Sequence, residues 1–123
     1  MKTKKILFVE DDPFIRDIYL TKLRELGFEV KGVENGEKTF ELVKSFKPDL
    51  LLLDIILPDI DGWELLRRLR EEKLIEKTKV VVLSNLDQKT ESDKSEVLGI
   101  EKFFIKANYQ PSEVAEYLKE ILS

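Results

Sequence analysis

Four apolar segments of this chain end in side chains that are suited to phosphoryl chemistry. Converging carboxylates repel one another unless a hard cation joins them, and Mg²⁺ is bound by a few carboxylate oxygens with positions left open for phosphate. A hydroxyl and an ammonium group can hold the other phosphoryl oxygens, and a central aspartate can attack an activated phosphate. The residues that supply these groups are Glu10 and Asp11 after the first segment, Asp54 after the next, and then Ser84 and Lys106.

Each of these residues, taken singly, has an ordinary structural explanation. An aspartate after an apolar strand is commonly a turn residue, and a lone Ser or Lys at a strand end is uninformative. Asp12, which precedes Pro13, is interpreted as a helix cap. The joint pattern predicts a site because four strand ends each supply a suitable group, in a suitable order.

The apolar segments themselves predict the strands of a parallel sheet. Runs of four apolar residues without polar alternation are typical of strands covered on both faces. In such a sheet, ligands bind at the carboxyl ends of the strands. The fold class is therefore α/β, a doubly wound five-stranded parallel sheet with (βα) repeated five times and the flavodoxin-like strand order 2-1-3-4-5. The predicted strands are Ile6–Val9, Phe28–Val33, Leu50–Leu53, Val80–Leu83 and Phe103–Ile105.

Helical patterns fill the intervals between these strands. In the first helix, Ile15 and Ile18 are predicted to share the buried face with Tyr19, Leu23 and Leu26. Proline in the first turn and glycine after the last turn are typical start and stop signals. The predicted helices are Pro13–Leu26, Asn35–Phe46, Gly62–Arg70 and Pro111–Leu122.

A further helix is predicted where the sequence is almost entirely polar. Gln88 to Glu96 are nine consecutive polar residues, and only Val97 and Leu98 can anchor the end of this element. Such a helix is held weakly to the core. Two interpretations stay open: a solvated helix at a sheet edge, and a mobile element with a function.

Composition sets the outer limits on function. The chain has 123 residues and a net charge of −4, which predicts one domain, 1–123, without direct nucleic-acid binding. It contains neither cysteine nor histidine, so thiolate chemistry, disulfides and phosphohistidine chemistry within this chain are excluded. No apolar stretch approaches membrane-spanning length, and a cytoplasmic location without membrane contact is expected.

Taken together, these motifs resemble the receiver domain of bacterial two-component response regulators, over the whole chain. The first matching segment contains the acidic residues after strand one, and the second ends in Asp54. A turn motif follows, and the last two segments end in the hydroxyl and the amine. These segments are Ile6 to Pro13, Pro48 to Asp54, Leu57 to Gly62, Val80 to Ser84 and Phe103 to Lys106.

The resemblance implies a role for each matching residue. Asp54 would be the phosphoacceptor, and Mg²⁺ would be bound by Glu10, Asp11, Asp54 and the backbone carbonyl of Ile56. Ser84 would be the switch hydroxyl, Lys106 would pair with the phosphoryl oxygens, and Phe103 would be the aromatic residue coupled to the switch. Pro58 and Gly62 would shape the loop beside the site.

Three features depart from the family pattern. The family usually has proline after the strand-five lysine, often with a cis bond, whereas this chain has Ala107. Because a cis bond before a non-proline residue costs roughly 2.5–4 kcal/mol, we predict a trans Lys106–Ala107 peptide. Asn85 is larger than the usual residue and is expected to narrow access to the phosphoryl group. Ile56 and Leu86 replace polar groups that assist hydrolysis in many members, which predicts a long-lived phosphoryl state.

The function implied by the resemblance is a Mg²⁺-dependent phosphoacceptor in two-component signal transduction. A sensor histidine kinase or phosphotransfer protein would phosphorylate Asp54, and the change would switch protein–protein contacts. The domain would catalyse only its own phosphorylation and dephosphorylation, and a phosphorylation-dependent homodimer fits the family. Phe14 (expected exposed) and Ile15 (expected buried) are candidate kinase contacts, and the helix that closes near Ser123 favours a stand-alone receiver.

Three other functions remain as alternatives. A degenerate receiver would act as a phosphorylation-independent binding scaffold, and Asn85 and Ala107 keep this reading open. An aspartate-nucleophile phosphatase needs a second acid two residues after the nucleophile, where this chain has Ile56. A flavodoxin-like cofactor binder needs a phosphate-binding loop, whereas acidic residues follow the first strand here.

Overall fold

The computed structural model describes residues 2–85 and 98–123. These residues form a five-stranded parallel sheet in the order β2-β1-β3-β4-β5 with helices on both faces, as predicted. The predicted polar helix from Gln88 to Glu96, with Val97, lies outside the described residues. The elements are β1 (Lys5–Val9), α1 (Pro13–Glu25), β2 (Glu29–Val33), α2 (Gly36–Phe46), β3 (Leu50–Leu53), α3 (Gly62–Glu71), β4 (Lys79–Ser84), β5 (Lys102–Ile105) and α4 (Pro111–Leu122).

The central strands contain unbroken runs of apolar residues because both of their faces are covered. All four leucines of β3 are fully buried, and so are Ile6 to Val9 of β1. Successive side chains of a strand point to opposite faces. Leu51 and Leu53 therefore pack in one core layer with α2 and α3. Leu50 and Leu52 pack in the other layer, with α1 and α4.

The helices begin at side chains that satisfy their free amide groups. Asp12 accepts hydrogen bonds from the backbone N–H groups of Phe14 and Ile15, which confirms its interpretation as the α1 cap. Asn35 caps α2 through the N–H of Lys38. These caps place the N-termini of α1 and α2 at the edge of the sheet where the strands end.

One prediction about α1 is wrong. Ile18 was expected on the buried face, but 49% of its surface is exposed, whereas Tyr19 and Leu23 are buried. Ile18 is five residues before Leu23, which turns it roughly 140° away on a helix of 3.6 residues per turn. Within residues 2–85 and 98–123, none of the helices has both the length and the apolar character required to cross a bilayer.

Candidate functional site

The sheet register brings the first two acidic segments together. Val9 at the end of β1 pairs with Leu53 at the end of β3. The hydrogen bonding continues one residue further, since the N–H of Asp54 donates to the carbonyl of Val9 at 3.0 Å. Glu10 likewise donates its N–H to the carbonyl of Val33 at 2.9 Å. Glu10 and Asp54 therefore lie side by side, with their backbones held by the sheet.

Three carboxylates converge at this edge. Carboxylate oxygens of Glu10, Asp11 and Asp54 all lie within 4.8 Å of one another. Glu10 and Asp54 are buried, with 1% and 4% of their surface exposed, while Asp11 is open to solvent. Three hard oxygen donors at this spacing match the ligand preferences of a divalent cation such as Mg²⁺ or Ca²⁺. The cluster is thus able to bind a metal ion, which can enter from the solvent on the side of Asp11.

Both carboxylate oxygens of Asp54 are engaged. Oδ1 accepts hydrogen bonds from Ser84 Oγ at 2.9 Å and from the backbone N–H of Ile56 at 3.0 Å. Oδ2 accepts a hydrogen bond from Lys106 Nζ at 2.8 Å. The structure therefore places the predicted acceptor, hydroxyl and amine in direct contact, although they come from three different strand ends.

Burial and charge together determine the protonation of the site. Burial raises the pKa of Glu10 above its usual range, an effect that contact with Lys106 partly offsets. Burial also disfavours the Lys106 ammonium, but its hydrogen bond to Asp54 and its contact with Glu10 outweigh this, and the pKa of Lys106 is raised. Lys106 therefore stays cationic at neutral pH and balances one of the three carboxylates. The uncompensated negative charge favours a bound cation.

The loop between β3 and α3 is closed tightly beneath the site. The N–H of Gly62 donates to the carbonyl of Ile55 at 2.8 Å, and Ile56 forms a β-bridge with Asp61. Asp61 caps α3 through the N–H of Trp63 at 2.8 Å. Ile56 thus reaches the site through its backbone N–H, while 54% of its surface is exposed.

Two of the departures from the family pattern contact each other. All peptide bonds of the described residues are trans, including Lys106–Ala107, as predicted. The N–H of Ala107 donates to Asn85 Oδ1 at 3.1 Å, a bond that proline at position 107 could not make. This contact joins the residues that follow Ser84 and Lys106. Leu86, the other residue predicted to affect hydrolysis, lies outside the described residues.

The predicted switch aromatic lies beneath the site. Phe103 is buried, and its ring packs against Trp63 with a centroid distance of 6.3 Å and an interplanar angle of 35°. Trp63 is buried as well, and its indole nitrogen has no hydrogen-bond partner among the described residues. Phe103 is therefore placed in the core layer against α3, with the acidic cluster above it at the strand ends.

Two residues that contact the site region were missed by the sequence analysis. Arg16 of α1 donates from Nη1 to the backbone carbonyl of Glu10 at 2.6 Å. Asp59 accepts hydrogen bonds from the N–H groups of Gly36 and Glu37. Neither contact has a local signal in the sequence. For Asp59 the partners are 23 and 22 residues away, and only the packing of α2 brings them near.

The fold and the site define an α/β domain with an acidic cluster at the carboxyl edge of a parallel sheet. A family model described as "Response regulator receiver domain" matches residues 6–119. The chain belongs to this family of receiver domains, which confirms the resemblance found in the sequence.

Relatives with known roles show how the chain compares with whole proteins. The alkaline phosphatase synthesis transcriptional regulatory protein PhoP of Bacillus subtilis is 32% identical over 119 residues, which cover 97% of this chain and 48% of PhoP. The chemotaxis protein CheY of Thermotoga maritima is 29% identical over 119 residues, which cover 96% of this chain and 97% of CheY. The chain spans about half the length of the first curated relatives it matches, with coverages of 48%, 49% and 53%.

Solved structures agree with the fold. A CheY-like response regulator receiver domain protein from Methanospirillum hungatei has a TM-score of 0.88 at 29% identity, with 98% of this chain and 94% of that one covered. The BeF3-activated receiver domain of Klebsiella pneumoniae RstA has a TM-score of 0.83 at 32% identity, with 95% and 97% covered.

Proposed function

We propose that this chain is a phosphorylation switch in two-component signalling, in which Asp54 is the phosphoacceptor. The observation that supports this best is the environment of Asp54. Its carboxylate is buried, bonded to Ser84 and Lys106, and adjacent to two further carboxylates. Buried charges in proteins are normally paired or bound to a metal. Here the surplus of negative charge favours a metal and the phosphate that a metal attracts.

The proposed reaction transfers a phosphoryl group from a phosphohistidine of a sensor histidine kinase or phosphotransfer protein. A carboxylate oxygen of Asp54 attacks phosphorus, the bond from phosphorus to the donor nitrogen breaks, and that nitrogen retains the electron pair. The product is an acyl phosphate on Asp54. Catalysis of this kind relies on positioning and charge stabilisation. No external substrate is turned over, so the domain acts only on its own phosphorylation state.

The residues present fit a magnesium ion in this role. Glu10, Asp11, Asp54 and the backbone carbonyl of Ile56 would hold it, and it would neutralise charge on the phosphoryl oxygens. Lys106, which contacts both Asp54 and Glu10, supplies a positive charge beside the cluster. Ser84 supplies a hydroxyl that bonds the carboxylate before transfer and can turn to a phosphoryl oxygen afterwards.

The consequence of transfer would be a change in contacts around the site. An acyl phosphate adds negative charge where Ser84 and Lys106 already converge, and both would follow the new oxygens. Ser84 is the last residue of β4 and Lys106 directly follows β5, so their movement would alter the loops after these strands. A cytoplasmic location, a downstream protein target and a phosphorylation-dependent homodimer belong to the same proposal.

Kinase docking is proposed at the start of α1. Phe14 is 81% exposed and lies next to the acidic cluster in sequence, while Ile15 is half-buried. We expect Phe14→Ala to slow transfer from a phosphorylated kinase domain and to leave transfer from acetyl phosphate unchanged, because only the kinase needs a docking surface. Equal transfer from the kinase domain to both proteins would contradict this part of the proposal.

The central test is intact-mass analysis after incubation with acetyl phosphate and Mg²⁺. The wild-type chain should gain the mass of one phosphoryl group, and should gain none when Mg²⁺ is removed with a chelator. Asp54→Asn should prevent the gain, while Asp17→Asn, a matched change of an exposed aspartate on α1, should not. A chain that never forms the adduct would instead be a scaffold that works without phosphorylation.

A further inference from the structure

The loop between β3 and α3 is attached to a second element, the N-terminus of α2. Asp59 Oδ1 accepts the N–H of Gly36 at 2.9 Å, and Asp59 Oδ2 accepts the N–H of Glu37 at 3.0 Å. Both carboxylate oxygens are thus used on consecutive amide groups of the first helical turn. These N–H groups have no partner within the helix, and the positive end of the helix dipole adds to the attraction.

Packing supports the same attachment independently. A methyl group added at Gly36 would lie 2.3 Å from Cγ2 of Ile60, so the Ile60 side chain would have to move to make room for it. Glycine at position 36 therefore allows Ile60 to pack closely against the start of α2. Asp59 and Ile60 together hold the loop against α2, one by hydrogen bonds and the other by contact.

The other end of the same loop forms one wall of the phosphoacceptor site. Ile56 donates its N–H to Asp54 Oδ1 and pairs with Asp61 in a β-bridge. The N–H of Gly62 closes the loop onto Ile55. With both ends bonded, the loop between residues 55 and 62 has little freedom, and the position of Asp59 against α2 constrains the backbone at Ile56.

We propose that Asp59 is a positioning residue that fixes the β3–α3 loop against α2 and thereby raises the affinity of the acidic cluster for Mg²⁺. This inference rests on the proposed function, in which the carbonyl of Ile56 is a metal ligand. Asp59 does not touch the metal in this scheme. It acts through the loop, in the way that outer-shell residues orient the ligands of other metal sites.

The charge state of Asp59 is compatible with this role. The backbone N–H of Gly36 holds the pKa of Asp59 below its usual range; burial opposes this shift, and the N–H of Glu37 adds to it. Asp59 is therefore a carboxylate throughout the pH range in which Mg²⁺ binds. The Asp59 carboxylate is bonded to the N-terminus of α2, so Asp59 affects the acidic cluster only by positioning the β3–α3 loop.

The test compares Mg²⁺ affinity among three variants by isothermal titration calorimetry. Asp59→Ala removes both hydrogen bonds and should weaken Mg²⁺ binding by about 10-fold or more, as outer-shell changes do elsewhere. Asp59→Asn keeps one acceptor oxygen and should recover part of the affinity. Asn35→Ala is the matched control, because the Asn35 side chain caps the same helix through the N–H of Lys38, without a hydrogen bond from the loop.

Unfolding in urea without Mg²⁺ separates positioning from stability. Asp59→Ala and Asn35→Ala each remove a cap of α2 and should lose similar stability, while only the Asp59 variants should lose metal affinity. Wild-type affinity in folded Asp59→Ala and Asp59→Asn, or an equal loss in Asn35→Ala, would overturn this inference alone. Failure of the wild-type protein to bind Mg²⁺ at all would overturn the proposed metal site and this inference with it.

Discussion

Alanine at Gly62 should destabilise the domain and disturb the site together. An added Cβ would lie 2.5 Å from Cα of Ile55, 2.8 Å from the Ile55 carbonyl oxygen and 3.0 Å from the Asp54 carbonyl oxygen. All three are backbone atoms, so no side chain can rotate to make room. Relief requires the loop to move away from β3, which weakens the 2.8 Å bond from the Gly62 N–H to Ile55.

The size of the effect follows from these contacts. Overpacking of this kind costs about 1–3 kcal/mol, and weakening the Gly62 hydrogen bond adds about 1 kcal/mol, so the free energy of unfolding should fall by about 2–4 kcal/mol. The assay is urea-induced unfolding followed by the fluorescence of Trp63, the single tryptophan of the chain. The same samples are titrated with Mg²⁺, whose affinity should also fall because Ile56 moves with the loop.

Gly27→Ala is the matched control for this prediction. Gly27 has φ of +94° and no atom within 4 Å of an added Cβ, so alanine there introduces backbone strain without a collision. A left-handed conformation costs a residue with a Cβ about 1–2 kcal/mol, and Mg²⁺ affinity should not change. The reasoning is refuted if Gly62→Ala is no less stable than Gly27→Ala, or if it binds Mg²⁺ as tightly as the wild type.

Four further outcomes are expected. Asp11→Asn should change the unfolding free energy without metal by less than about 0.5 kcal/mol, because Asp11 is exposed. It should abolish most of the rise in melting temperature on adding Mg²⁺, and an undiminished rise would exclude Asp11 as a ligand. The difference in unfolding free energy between wild type and Asp59→Asn should be constant above about pH 5 and shrink below about pH 4. Folding lowers the pKa of Asp59, so its carboxylate stabilises the protein fully above the unfolded pKa and loses this contribution as the pH falls through the folded pKa. A pH-independent difference in urea unfolding would contradict this. Asn85→Ala should speed amide exchange at Ala107, measured by NMR, because it removes the acceptor of that N–H; unchanged exchange would mean the contact does not persist in solution. The phosphoryl adduct should decay faster in Ile56→Asn than in wild type, followed by intact mass over time, because the exposed apolar side chain beside Asp54 has no group to orient water; equal decay would remove Ile56 from the explanation of phosphoryl lifetime.

The sequence by itself determined the sheet, most helix ends and the membership of the site. Four consecutive leucines in β3 can be buried only if both faces of the strand are covered, which is typical of a parallel sheet between helix layers. Asp12 and Asn35 could be assigned near helix starts because capping depends on residues two or three positions away. Asp54 and Lys106 could be placed in one site because the carboxyl ends of parallel strands all meet at the same edge.

Only the tertiary structure decided how these side chains are paired and what supports them. Ile18 is exposed because α1 presents a different stripe to the sheet, and hydrophobicity alone does not define the centre of that stripe. The two oxygens of Asp54 accept hydrogen bonds from different residues, Ser84 and Lys106, and the N–H of Ala107 donates to Asn85. These contacts depend on distances between separate strand ends. The attachment of Asp59 to α2 likewise joins segments more than 20 residues apart. Contacts of this kind have no periodic or local signal in a sequence, because they arise from the angle and depth at which packed elements meet.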